Sequence, residues 1–387
     1  MANLLKVVVE PTILKYARYC SGYEIAEASK KAIIKKEFLE QCEQEKTEIS
    51  IARLEKLAGV YKIPLAYFFL KEIPKDVVLP KDFRKVFTYK ETKLSPKVML
   101  AVRRARYVQS VIRELEGDEI KYNFKKSSLE SDPEEMAQEL RLFFGVSIND
   151  QSKWPSSSSA LKQWKEVIEK VGIFILQQSL PEKEVSAFSL VDKTPYVVVL
   201  NSLEHENRRV FSLFHEMGHI LLRGSGVCTP DELSKNSFEY IKIEKFCNQF
   251  AASFLVPKEV FLNNPDVKRL TNLSFSQWDQ ESIEKISKSF RVSQEVIYRR
   301  FNFLEIITEN EYKQVRRELI KGFEEHKAKS KKGEFRIPQY IKIISRNGGA
   351  FSSFILENLH MNRITMVDAA NYLDTTSKHI AAVELHI

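Results

Sequence analysis

The chain predicts a mostly helical α+β protein: an N-terminal bundle of the helix-turn-helix kind, a central domain carrying a small three-stranded sheet, and a helical C-terminal region. Three observations predict it. Apolar residues recur at helical spacing over most of the 387 residues. The period changes between 172 and 202, where three strand-like runs follow one another. Composition is that of an ordinary folded protein, 43% apolar and 29% charged with only 12 Gly and 13 Pro, which excludes collagen-like, low-complexity and wholly disordered classes.

Residues 11–70 read as short helices. PTILKYARYC places Ile13, Leu14 and Ala17 on one side and ends at Ser21-Gly22. YEIAEASK follows after a tight turn, and the third helix, over Lys35–Gln44, brings Phe38 and Cys42 together at i, i+4. The next helix, ISIARLEKLAGVYKI, spaces Leu54, Leu57, Ala58 and Tyr61 for one face. A connector around Pro74 and Pro80 leads to a long helix opened by Ser95 and Pro96. Another helix runs from Asp132-Pro133 to Gly145, and ALKQWKEVIEKVG follows the serine tract at 156–159. GIFILQQSL, VSAFSLVD and TPYVVVLNS are the three strands, and helices over 204–224 and 237–257 come next. The remainder is mainly helical, with an exposed loop expected at HKAKSKKGE, 326–334, and a packed turn-and-helix segment expected after Gly348-Gly349. Domains are expected at 1–75, 76–155, 156–300 and 301–387.

Four cysteines, Cys20, Cys42, Cys228 and Cys247, form no closely spaced pair, so buried free thiols in a reducing compartment are expected. No apolar run approaches the ~18–20 residues of a membrane span, and the first residues lack a secretion signal pattern. A cytoplasmic protein without membrane partners is the expectation. Net charge is +8, and residues 81–128 hold 13 basic against 6 acidic residues. That stretch, with Arg103, Arg104, Arg106 and Arg113 on the long helix, fits either a polyanion contact or a solvated face.

The most informative string is His215-Glu216-Met217-Gly218-His219. Histidines four apart share a helical face, so both imidazoles can reach one metal ion. Glu216, beside the first, is the residue type to act as general base on a water which zinc makes acidic. Gly218 costs a helix ~1 kcal/mol relative to Ala, which close packing against another helix would explain. A catalytic zinc takes three protein ligands and keeps one position open. Glu232, Glu239 and Glu244 are candidates for the third. Glu244 is favoured because Cys247, Asn248, Ala251, Ala252 and Leu255 share its side of a helix, small and apolar company for a carboxylate; Glu239 is the runner-up.

RRVFSLFHEMGHILL followed by IEKFCNQFAASFLVPKE resembles the ImmA/IrrE family of zinc metallopeptidases, whose second pattern is approximately E-x-x-A-N-x-F-A-A-x-L-L-M-P. Departures are Ser212 for Thr, Phe214 for Ala, Cys247 for Ala and Val256 for Met. The resemblance implies a zincin-like fold, one Zn2+ per chain held by His215, His219 and Glu244, and Glu216 as catalytic base. It also implies a protein substrate, a transcriptional repressor or similar regulator. The segments ILKYARYCSGYEIAEASKK and ARLEKLAGVYKIPLAYFFLKEIP resemble the Xre-type helix-turn-helix module ahead of the peptidase in the family's long form; the C-terminal 347–380 is similar to that form too.

In such a module the third helix meets the major groove, and Lys31, Lys35 and Lys36 are the candidate DNA contacts. Glu37, Glu40, Glu43 and Glu45 make the same segment net acidic. Two functions follow: a zinc endopeptidase that cleaves a regulator, or a DNA-binding regulator or antitoxin-like protein whose peptidase fold mainly holds a partner. For the first, an extended peptide is expected to add to an edge at Tyr196–Leu200.

Overall fold

A computed structural model gives the structure of the chain over residues 5–73, 95–117, 120–181, 185–223, 238–329 and 337–387. It divides into two compact units, Met1–Arg104 with Lys183–Val185, and Ala105–Glu182 with Ser186–Ile387. No helix among the described residues is long and apolar enough to cross a membrane.

The first unit holds α1 (Pro11–Cys20), α2 (Ile25–Ala32), α3 (Lys36–Gln44) and α4 (Ile51–Tyr61), then a short 3-10 turn, Leu65–Phe69. Leu14, Ala17, Ala28, Ala32, Leu39, Cys42, Leu54, Leu57, Tyr61 and Phe68 make its core. Between α2 and α3 the chain turns through Ile33 at φ 56°, left-handed backbone that a β-branched residue seldom adopts. The helices were legible from spacing; a small sheet was not. β1 (Lys6–Val8) pairs antiparallel with β2 (Glu48–Ser50), Val7 opposite Ile49. Three residues offer a single alternation, too little to separate from the helix that follows.

Two partly buried arginines knit this unit. Arg18 grips Glu43 through Nε to Oε1 at 2.8 Å and a second bond to Oε2 at 2.9 Å, the forked geometry guanidinium favours. The Arg103 guanidinium donates to Ser21 Oγ at 3.1 Å and to the carbonyls of Tyr61 and Lys62, both at 2.8 Å. The guanidinium is thus engaged by three oxygens of this unit. Arg103 lies on α5 (Pro96–Glu116), which continues into the second unit. There Arg106 pairs with Asp192 at 2.6 Å.

The second unit opens with α6 (Pro133–Phe144), whose first turn is capped by the Asp132 carboxylate on the Glu134 N–H at 2.8 Å. Then come α7 (Ile148–Lys153), α8 (Ser157–Glu169), and the strands β3 (Phe174–Gln178), β4 (Ala187–Leu190) and β5 (Val197–Asn201). The three strands match the expected runs. Their order is β3-β5-β4, with β3 parallel and β4 antiparallel to β5. Strand β5 is thus central, and the expected edge at Tyr196–Leu200 is corrected: the edge nearest that role is β4. Every residue of β5 is buried, whereas β4 alternates, Phe188 and Leu190 inward against partly exposed Ala187 and Ser189. An unbroken VVVL run marks a strand covered on both faces.

Helices α9 (Glu206–Arg223) and α10 (Phe238–Leu255) pack against one another, and α9 lies on β4 and β5. Their core is aromatic: Phe214 stacks on Phe254 with centroids 4.0 Å apart, and Trp164 meets both rings edge-on. Arg141 and Gln151 reach the orphan carbonyls at the end of α10, Phe254 and Leu255, at 2.7 and 3.0 Å.

The remaining helices are α11 (Lys258–Asn263), α12 (Pro265–Thr271), α13 (Gln280–Phe290), α14 (Gln294–Phe303), α15 (Glu309–Lys329), α16 (Gln339–Asn347), α17 (Gly349–His360), α18 (Met366–Tyr372) and α19 (Ile380–Glu384). Helix α15 runs through Lys329, so the loop expected from 326 is helical at its start; 330–336 lie outside the described residues. Helices α16 and α17 pack on β3. At their junction Gly348 has φ 82°, and a Cβ there would collide with the Ile175 carbonyl oxygen. The neighbouring Glu169 carboxylate accepts the backbone N–H groups of Ala350 and Ile175; burial pushes its pKa up to about 7. One flank of the sheet is therefore covered, and the other, β4, has no strand beyond it among the described residues.

Candidate metal centre

Helix α9 is anchored by Val210, Leu213, Phe214, Met217, Ile220 and Leu221, all buried, and these leave His215 and His219 on a shared, partly open face. The two Nε2 atoms lie 3.2 Å apart. The third group comes from α10: Glu244 Oε2 is 3.4 Å from His215 Nε2, and Oε1 is 3.3 Å from His219 Nε2. The helices approach this closely because Gly218 has no side chain. A Cβ there would sit 3.1 Å from both Cα and Sγ of Cys247, tighter than ordinary van der Waals contact. The reason sought for Gly218 in the sequence is therefore helix contact. Of the alternatives for the third group, Glu232 and the side chain of Glu239 lie outside the described residues. Among the described residues, His215, His219 and Glu244 are the group that converges to hold one ion.

Electrostatics follow from the convergence. Burial alone would raise the Glu244 carboxyl, but hydrogen bonds from His215 and His219 outweigh it and hold the group well below the usual carboxylate range. Burial likewise opposes charge on His219, yet its contacts with Cys247 and Glu244 dominate and push the ring's pKa up. Burial pushes the Cys247 thiol up as well. Two ring nitrogens face one carboxylate, an arrangement that a shared cation satisfies.

The donor set fits a small divalent ion. A tetrahedral zinc with bonds of about 2.0–2.1 Å has donor–donor edges of about 3.3 Å. Here the two Nε2 atoms stand 3.2 Å apart, and Glu244 meets them through both of its oxygens, Oε2 at 3.4 Å from His215 and Oε1 at 3.3 Å from His219. Three protein donors would leave a zinc one coordination position for another ligand.

Glu216 is 7% exposed, and its Oε2 accepts a hydrogen bond from Ser189 Oγ at 2.7 Å. Ser189 lies on β4 and was missed from sequence. The alternation Ala187, Phe188, Ser189, Leu190 already placed Ser189 on the face opposite two buried residues, but not what stands across from it.

Lys31, Lys35 and Lys36 belong to the first unit, at the end of α2, the turn and the start of α3. All three are exposed. Lys36 pairs with Glu40 at 3.4 Å, and Lys31 stands 5.9 Å from the Tyr23 ring centre. Of the four acids expected on this segment, Glu43 is turned inward and neutralised by Arg18.

No curated protein matches the chain. Residues 168–302 match the Peptidase_M78 family model, described as the IrrE N-terminal-like domain. The matched span holds all three strands of the mixed sheet, helices α9 and α10, and His215, Glu216, His219 and Glu244. Over those residues the chain is similar to a family of metallopeptidase domains, in support of the ImmA/IrrE resemblance read from its sequence.

Proposed function

We propose that the protein is a zinc-dependent endopeptidase that cleaves a regulatory protein such as a transcriptional repressor. The observation that carries the reading is the convergence of His215, His219 and Glu244, placed to hold one ion, with Glu216 beside them in the chain. Zinc held there would supply Lewis-acid polarisation of a carbonyl and would acidify water. The chain's own residues do the rest. The water oxygen bonds to the scissile carbonyl carbon while Glu216 takes its proton. The C–N bond then breaks as Glu216 returns that proton to the leaving nitrogen. An extended substrate segment would pair along β4, the strand that carries Ser189, which has no strand beyond it among the described residues. A regulator as substrate rests on the family resemblance.

Terminal-amine profiling of cells making the wild-type chain should reveal new N-termini within a regulator, absent from cells lacking the chain. Chelation should stop the same cut by purified protein, and added zinc should restore it. A profile with no chain-dependent terminus rejects the endopeptidase reading.

A second activity is favoured by the first unit, where α2, a tight turn and α3 leave Lys31, Lys35 and Lys36 exposed on a segment relieved of one acid by Arg18. We propose that this segment contacts duplex DNA. Fluorescence anisotropy with labelled DNA should show salt-dependent binding, with the logarithmic salt slope falling by about one for each lysine changed to Ala. Absence of binding at low salt would remove this reading.

A further inference from the structure

A carboxylate that both accepts and returns a proton has to keep one orientation throughout, and nothing in the HExxH string itself provides that. The structure supplies it from a different element. Ser189 Oγ donates to Glu216 Oε2 at 2.7 Å, in the range of short hydrogen bonds to an ionised acceptor. The donor is rigidly mounted. Ser189 sits mid-strand in β4, opposite Val198 of the central strand, and its neighbours Phe188 and Leu190 are locked in the core at 2% and 1% exposure. Glu216 is itself nearly enclosed, on a helix fixed by Phe214 and Met217 on either side of the motif's first residues.

We infer that Ser189 is the positioning residue for Glu216, an assignment that rests on the peptidase reading above. Its hydroxyl occupies Oε2 and so leaves Oε1 as the oxygen that exchanges a proton with water and with the leaving nitrogen. Because the hydroxyl is carried by the edge strand, the same element that would align an extended substrate also sets the base. The orientation of Glu216 and the register of the bound chain are then fixed by one strand.

The test compares Ser189→Thr, which keeps a hydroxyl, with Ser189→Val, nearly the same shape without one, in the full-length chain. Both are β-branched and suit a strand, so folding should survive in both. Zinc content and thermal midpoint should match between the two. On a peptide spanning the cut found by terminal profiling, Val should lower kcat about 10- to 100-fold with KM unchanged, and Thr should restore most of it. A second readout needs no turnover: acetohydroxamate binding to the cobalt-loaded chain, followed by visible absorption, should weaken by about tenfold in Val and not in Thr. Equal kcat and equal hydroxamate affinity for Thr and Val would overturn the assignment of Ser189 while leaving the peptidase reading intact. A wild-type chain that neither cleaves the peptide nor binds acetohydroxamate would overturn the peptidase reading instead.

Discussion

Glu216→Gln should leave the metal bound and stop cleavage. Glutamine has the same shape, and its amide oxygen can still accept the Ser189 hydroxyl, so neither the helix nor the His215, His219, Glu244 triangle loses a contact that the structure shows for it. What disappears is the ability to take and return a proton, which is worth about 10²–10⁴-fold in rate for a well-placed general base. Metal analysis by plasma mass spectrometry should find wild-type and variant equally loaded, while cleavage drops by at least the lower of those factors. Equal rates would mean that Glu216 is not the base.

Glu244→Ala should fail one step earlier, at loading. The carboxylate is the third group of the cluster that could hold an ion, and it meets both imidazoles within 3.4 Å. Losing an outer-sphere partner of a metal site costs about 10–100-fold in affinity, so removing a direct ligand should cost more. Competition titration against a chromogenic zinc chelator reads the loss directly. Stability provides an independent check. An ion that binds only the folded chain adds about 2.7 kcal/mol at a hundredfold excess over its dissociation constant, so zinc should raise the melting temperature of wild type and not of this variant. A variant that binds zinc as tightly as wild type would show that Glu244 is not a ligand.

The parts of the fold that could be read from the chain were those written in local periodicity. Helix α9 carries its apolar face in the spacing of Val210, Leu213, Phe214, Met217 and Leu221, which by itself turns His215 and His219 to the other side. Gly218 announced a close approach because no helix keeps a glycine cheaply. Helix α10 disclosed Glu244 through the small residues that share its side. What sequence could not supply was pairing across distance. Ser189 and Glu216 are separated by 27 positions, Arg18 and Glu43 by 25, and Arg103 and Tyr61 by 42. The placement of β5 at the centre of the sheet was present as an unbroken Val197–Leu200 run, yet strand order depends on crossovers that spacing does not encode. The pairing of β1 with β2 joins segments 42 positions apart, with only three residues in each.

The contact of α9 and α10 at Gly218 and Cys247 bears on which ions the triangle can accept. Two helices pressed together backbone to side chain, over a core of stacked aromatics, leave the three donors little freedom to spread. Little conformational entropy is then left to surrender when an ion arrives, so the binding energy is not drained by ordering the site. The same stiffness discriminates. Calcium wants about six to eight oxygens at 2.3–2.6 Å, and magnesium an octahedron that it fills mostly with water. Two imidazoles and one carboxylate offer too few oxygens for either, so a donor set held by this helix contact would favour a smaller ion that accepts nitrogen ligands.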